Sequence, residues 1–510
     1  MKRGLLFLLA LPFLVSLGCG SSGGGSDGRP PLVFFQMNTG DSGWELGVTD
    51  GSSAGTKLVA DLSEGSVSSN PSVSSEDDDY IFLNGVLYFA ANDAIHGEEL
   101  WRSDGTEEGT HIVANIAPGA DYSSPNNFVL LNSTLYFLIN AHSKQQKLPI
   151  THSQLWKSDG SEEGTVEVYE LSDSVDELTV FKGYLYFTSH DGTYGSELWR
   201  SDGSEEGTVL FKDINQEENL GSQKAPAINE SSYPRDFCVV GDTLFFTADD
   251  GVNGRELWKS DGSVAGTEMV ADLSEGSDSS SFGELVALDS SLFFAFSEGG
   301  GFRIWGAGES KGAPSGNELW KSDGSEEGTV LVHDFSEGGD GGLNELMPYN
   351  GELYFSADDG NYGDELWKSD GSEGGTVLVK DINKEEVVAT MKAPSNVGSD
   401  PRELSVANGL LFFTADDGLS GRELWRSDGS SEGTTMVRDI GEGPLSGDVG
   451  GLRLLYNEDD VFALFKKGIV FGANDGEHGV EPWFSDGSFD GTAMLCDCNE
   501  GLDNGYPGGT

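Results

Sequence analysis

One short pattern recurs nine times and limits what the chain can become. Asp-Gly, followed by Gly-Thr with its Gly five residues after the Asp, starts at Asp50, Asp104, Asp159, Asp202, Asp261, Asp323, Asp370, Asp428 and Asp486. The steps between these aspartates are 54, 55, 43, 59, 62, 47, 58 and 58 residues. Glu-Leu-Trp-x-Ser or a variant precedes each, as in Glu256-Leu257-Trp258-Lys259-Ser260. A fixed period of this length means stacked supersecondary units rather than independent domains.

One unit shows what is stacked. Asp236 to Val240 reads as a strand, Gly241-Asp242 as a tight hairpin turn, and Thr243 to Thr247 as an aromatic strand. The loop Asp249 to Gly254 leads to a third strand, Glu256 to Ser260, and a fourth runs from Thr267 to Asp272. Four short antiparallel strands per unit make one blade of a β-propeller. The expectation is an all-β chain: a single β-propeller of about eight to nine four-stranded blades over 32–500. Gly supports the turn-rich reading, at 73 of 510 residues.

The repeated residues resemble the bacterial ELWxxDGT repeat family, over about 35–495. The resemblance implies a propeller-like lipoprotein. Some repeats depart from the pattern. Gly47 stands where repeat one should have Trp, Gln154 replaces the Glu in repeat three, and Pro482 replaces the Leu in repeat nine. Repeat one also lacks a first strand, since Leu32 to Phe35 matches only strand two. A weak seam between the first and last repeats, or a truncated chain, is therefore expected. The tail 501–510 reads as one more inter-blade connection.

Met1 to Arg3 is basic, and Gly4 to Leu17 is an almost unbroken apolar run, too short to span a bilayer. Residues 1–18 read as an export signal and 19–31 as a Gly/Ser tether behind a lipidated Cys19. The other cysteines, Cys238, Cys496 and Cys498, read as small buried residues. A disulfide between neighbours two apart is strained, and the spacing does not suit zinc.

The formal charge is −58, from 87 acidic and 29 basic residues. That excludes nucleic acid and anionic membrane surfaces as partners, because both need a basic footprint. Membrane contact is expected through the lipid anchor only.

Three loops carry Asp-Asp-Gly before the Glu: Asp249, Asp250 and Glu256; Asp358, Asp359 and Glu365; Asp416, Asp417 and Glu423. Clustered carboxylates on a Gly-bent backbone suit Ca²⁺, the one cofactor the sequence suggests. The turn aspartates Asp104, Asp159, Asp202, Asp261, Asp323, Asp370, Asp428 and Asp486 read as structural. Two strand two–three loops are expanded. Leu138 to Ser153 holds His142, Lys144, Lys147 and His152, and Ser297 to Asn317 holds Arg303, Trp305 and Lys311. Basic and aromatic groups on long loops suit an anionic or sugar ligand.

No nucleophile elbow, zinc-protease motif or phosphate loop is present. The expected function is a non-enzymatic binding or scaffold module on a bacterial envelope, engaging an unidentified protein or glycan. The alternatives are a calcium-held structural envelope protein, or a polysaccharide hydrolase or lyase using channel carboxylates.

Overall fold

A computed structural model describes residues 32–499, apart from 74–79, 118–121, 140–152, 172–174, 176, 191–193, 217–230, 275–279, 298–316, 336–340, 385–397, 444–446, 448 and 454–467. These residues form nine antiparallel sheets in chain order, a nine-bladed β-propeller with no α-helix among them. Eight sheets have four strands, and the first has three.

Blade 5 is representative. Its strands are Arg235–Val240, Thr243–Asp249, Arg255–Ser260 and Glu268–Ala271, each hydrogen-bonded to the next. The sequence reading places all four within two residues. Alternation along strand two explains the sheet: Leu244 and Phe246 enter one inter-blade layer, Phe245 the other. The first strands of blades 2 to 9 begin at Tyr80, Pro125, Leu178, Arg235, Ser281, Asn344, Arg402 and Gly450. Neighbouring first strands pack against one another and form the inner wall of the ring.

The repeat tryptophan fills the layer between blades. Trp258 packs on Phe211 and Ile214 of blade 4, Trp367 on Val332 and Phe335 of blade 6, and Trp425 on Val379 and Ile382 of blade 7. Removing a buried ring of this kind costs about 3–5 kcal/mol.

The expected seam is real, and side chains close it. Among the described residues blade 1 consists of Val33–Asn38, Trp44–Thr49 and Lys57–Ala60, with no first strand beside them. Val470 of blade 9 joins the Val33 and Phe34 cluster, and Val480 packs with Phe35 and Met37. Gly47 lies against Phe35 and Met37, where a tryptophan would collide. One expectation is corrected here. Cys496 and Cys498 are half-buried and joined in a disulfide, with Cα atoms 5.1 Å apart. They end the outer edge of blade 9 at this seam, where Leu58 packs beside them. Cys238 is buried and free, as expected.

Candidate functional site

The antiparallel order gives the ring two faces. The strand one–two and three–four turns lie on one, the turn face. The strand two–three loops and the inter-blade connections lie on the other, the loop face.

On the turn face the Asp-Gly motif caps itself. In blade 5 the Asp261 carboxylate accepts from the Ser263 N–H at 2.8 Å and its hydroxyl at 2.7 Å. Ser260 Oγ accepts from Gly262 N–H and meets Thr267 Oγ1 at 2.7 Å. The Thr267 hydroxyl in turn donates to the Ser263 carbonyl. Glycine after the Asp is required, because φ there lies between +82° and +90° in all nine turns. A Cβ at Gly266 would strike the Asp261 carboxylate. The same bonds surround Asp50, Asp104, Asp159, Asp202, Asp323, Asp370, Asp428 and Asp486. Their own Ser neighbours hold Asp159, Asp202, Asp261, Asp323, Asp370 and Asp428 below the usual carboxylate range.

On the loop face the structure divides each Asp-Asp…Glu trio. Asp249 accepts from Gly251 N–H at 2.8 Å, and Asp250 from Val252 at 2.9 Å and Asn253 at 2.8 Å. Asp358 and Asp359, then Asp416 and Asp417, cap their loops in the same way. In the variant loops His96 and His478 pair with Asp93 and Asp475 at 2.6 and 2.8 Å. The glutamates are elsewhere. Glu256, Glu365 and Glu423 are fully buried. Glu256 accepts from Leu273 N–H at 2.9 Å and the Ser280 hydroxyl at 2.8 Å. Glu365 accepts from Ile382, Asn383 and Ser399. Glu423 accepts from Ile440 and Gly441. Among the described residues, no group of three or more His, Cys, Asp or Glu side chains is placed to hold a metal ion.

These glutamates are latches between blades, a role that the sequence reading missed. Glu197 of blade 4 holds the Ser232 N–H at 3.0 Å and its hydroxyl at 2.6 Å. The Ser232 carbonyl then accepts from Asp249 N–H of blade 5 at 2.9 Å. Glu45 with Ser69, and Glu99 with Ser123, repeat the arrangement. Burial outweighs these donors and pushes Glu197, Glu256, Glu365 and Glu423 up to about 7. The available signal was the Glu of each Glu-Leu-Trp, which accepts one N–H from the residue 17 further on.

The start of the inner wall carries further polar groups. Glu177 accepts from Asp236 N–H at 3.0 Å and Phe237 N–H at 2.9 Å, linking blades 4 and 5. Glu345 of blade 7 accepts from Leu404 N–H of blade 8 at 3.2 Å. Glu284 keeps an acidic position of the inner wall: it stands four residues before the end of its strand, as Glu177, Asp236, Glu345 and Glu403 do in blades 4, 5, 7 and 8. Its surroundings, and then Glu345, push it up to about 7. Two arginine pairs sit at the same level. Arg402 and Arg422 clamp Asp400 from both sides at 2.8 and 2.6 Å. In blade 5 Arg255 donates to the Tyr233 carbonyl and the Thr247 hydroxyl, with Arg235 nearby and 61% exposed.

Cys19, His142, Lys144, Lys147, His152, Arg303, Trp305 and Lys311 lie outside the described residues.

No family model and no curated protein matches the sequence. Solved propellers resemble the ring. A computationally designed protein, Ika8, aligns with a TM-score of 0.40 and 12% identity over 81% of this chain and 96% of its own. A puromycin hydrolase S511A mutant complexed with PGG aligns with a TM-score of 0.37 and 12% identity over 85% of this chain, which spans 61% of that hydrolase. The β-propeller domain of the Trilobed protease from Pyrococcus furiosus, described as having an open velcro topology, aligns with a TM-score of 0.33 and 12% identity over 70% and 96%. These likenesses concern the fold alone.

Proposed function

We propose that the protein is an exported, lipid-anchored β-propeller that acts as a binding or scaffold module on a bacterial envelope. Its ligand, a protein or glycan with acidic groups, is contacted through the loop face. One observation carries this reading: the two faces differ in how they vary. All nine three–four turns keep one length and one hydrogen-bond set. The one–two turns of seven four-stranded blades are two residues long. On the loop face, the inter-blade connection runs from 7 residues at 171–177 to 22 at 213–234. The strand two–three loops run from 5 residues at 250–254 to 20 at 298–317. A face that changes between repeats on a constant scaffold is where binding groups are placed. Arg235, Arg255, Arg402 and Arg422 put cations on that face of an otherwise acidic chain.

The N-terminal apolar run, Cys19 and the Gly/Ser tether support export and anchoring, and the repeat's resemblance to the ELWxxDGT family agrees with both. The aspartates best placed to act as acids or bases are engaged in capping loops, which favours binding over hydrolysis.

The test compares the full chain with a form in which 140–152 and 299–316 are replaced by five-residue turns. Both are mixed with isolated bacterial sacculi and with uronate oligosaccharides. Loss of binding in the trimmed form, at unchanged Tm, supports the reading. Equal binding by both forms, or turnover of the oligosaccharide, overturns it. A Cys19→Ser chain that stays membrane-associated and incorporates labelled palmitate overturns the anchor.

A further inference from the structure

In four blades the last residue of the outer strand sits opposite the Leu of Glu-Leu-Trp and is not an alanine: Lys212 opposite Leu198, His333 opposite Leu319, Lys380 opposite Leu366 and Arg438 opposite Leu424. In three blades this residue is a cation that reaches the next blade's turn. Lys212 Nζ donates to the Thr267 carbonyl at 2.6 Å and the Val264 carbonyl at 3.4 Å. Lys380 Nζ donates to the Thr434 carbonyl at 2.5 Å and the Ser431 carbonyl at 3.3 Å. The Arg438 guanidinium donates to the Thr492 carbonyl at 2.7 Å. The next blade's tryptophan completes the seat: Lys380 Nζ lies 6.0 Å from the Trp425 ring centroid, and Arg438 Cζ 5.7 Å from that of Trp483. The repeat therefore builds a cation seat with carbonyls on one side and an indole on the other.

Between blades 6 and 7 the position belongs to His333. Its ring stands 6.3 Å from Trp367 and 4.6 Å from Phe335, short of the turn carbonyls that a lysine reaches. A cavity of about 530 Å³ opens beside it, walled by Val330, Leu331, Lys321, Ser372 and Glu373. Glu373 is the residue equivalent to Val264 and Ser431, three before the turn threonine, and it adds a carboxylate. Lys321 is turned to the Gly371 carbonyl at 2.7 Å. Val330 and Leu331, 38% and 40% exposed, offer an apolar wall to an alkyl chain. Burial holds His333 below its ordinary value, so the histidine itself brings no charge to the seat at neutral pH. Ala60, Ala114 and Ala271 hold the position in other blades, and Tyr169 packs there on Trp199.

We propose that this junction binds a primary alkylammonium group, seating it where Lys212 and Lys380 seat theirs. The ammonium donates to the Thr376 and Glu373 carbonyls, the counterparts of the Thr267 and Val264 carbonyls that hold Lys212, and to the Glu373 carboxylate, and the alkyl chain lies along Val330 and Leu331. The site is on the turn face and independent of the loop-face reading, so the loop-trimmed chain should bind the amine as the full chain does.

The test titrates the full chain, with its histidines isotopically labelled, with n-butylammonium chloride against tetramethylammonium chloride at equal ionic strength. The His333 ring signal should shift saturably with the first ion and not with the second. By calorimetry His333→Lys, which fills the seat from within, should weaken n-butylammonium binding at least tenfold, while His333→Ala keeps it. Equal responses to the two ions, or undiminished binding by His333→Lys, overturn the proposal. Should His333→Lys not fold, Glu373→Gln serves: at least a threefold loss supports the seat, and no change overturns it. Comparing acetyl-lysine methylamide with spermidine separates a partner's lysine from a free polyamine, and failure of both to bind overturns the proposal.

Discussion

The two faces of this ring use the same residue type for opposite ends. On the turn face, every Asp carboxylate binds its own next Ser or Thr, and the turn never changes length. On the loop face, buried Glu carboxylates hold Ser and backbone N–H groups far along the chain, such as Ser232, 35 residues from Glu197. The first arrangement is local and fixes a hairpin. The second crosses a variable connection and fixes one blade on the next. A latch that grips both ends of a connection leaves its middle free to vary, and this explains how connections of 9 residues after the Glu256 blade and 22 after the Glu197 blade serve one ring. A carboxylate with backbone donors can replace a second layer of packing where loops are too diverse to pack.

The strongest way to break this contrast is to remove one latch. Glu365→Ala leaves Ile382, Asn383 and Ser399 without their acceptor in a buried site. The expected loss is about 3 kcal/mol, because several buried donors are orphaned together. Glu365→Gln should cost about half as much. A thermal melt checks both, and a loss under 1 kcal/mol would show that water replaces the carboxylate. Next in size is the turn. Gly266→Ala drives a methyl into the Asp261 carboxylate and should cost about 2 kcal/mol. Paired variants at Glu256 and Gly266 should be additive if the faces are independent, and a double-mutant cycle reads this directly.

The blade and its four strands were legible because period and turn chemistry are local properties, while the blade count was left at eight to nine and the structure sets it at nine. Hairpin turns such as Gly241-Asp242 and the φ-positive Gly262 follow from residue type. The latch was not legible in this way. Glu256 directly follows Arg255, the first residue after the loop, and by spacing alone it belongs with Asp249 and Asp250. Only strand alternation separates them: Asp249 pairs opposite Arg255, while Glu256 sits opposite Ala248 and turns inward. Glu284 was missed for a different reason. The inner strands lack a shared motif, and Glu284 falls into line with Asp236, Glu345 and Glu403 only when each strand is counted back from its hairpin turn. The Cys496–Cys498 bridge closes two residues that sequence reading had left apart.

Acid sharpens the contrast further. Glu197, Glu256, Glu365 and Glu423 rise from 4.5 to about 7 on folding, so the folded chain holds protons that the unfolded chain has released. That contribution is complete below about 4.5 and is lost as pH rises through 7. The turn aspartates run the other way: held low by their Ser partners, they stabilise the fold above their ordinary value of 3.8 and stop doing so in stronger acid. Maximum stability is therefore expected between pH 4.5 and 6, with Tm several degrees higher at pH 5.5 than at pH 8.5. Glu256→Gln should flatten the upper limb and leave the lower one. A profile that rises from pH 5.5 to 8.5 would mean that the backbone donors outweigh burial and the latches stay ionised.

The smallest effect belongs to the loop aspartates. Asp250 and Asp417 each bind two N–H groups of their own loop, which is Asx-type capping at the surface. Asp250→Asn keeps an acceptor oxygen and should change stability by about 0.5 kcal/mol or less. The same bonds bear on calcium. Two carboxylates that face their own backbone, with the nearby Glu turned into the core, offer a cation few of the six to eight oxygens that Ca²⁺ takes. A chelator-stripped chain should therefore respond equally and shallowly to Ca²⁺ and Mg²⁺ at fixed ionic strength, as a charge of −58 dictates. A steep rise in Tm with Ca²⁺ alone, abolished by Asp250→Asn with Asp417→Asn, would place a built site in these loops. It would also make the loop face a structural face as well as a binding one.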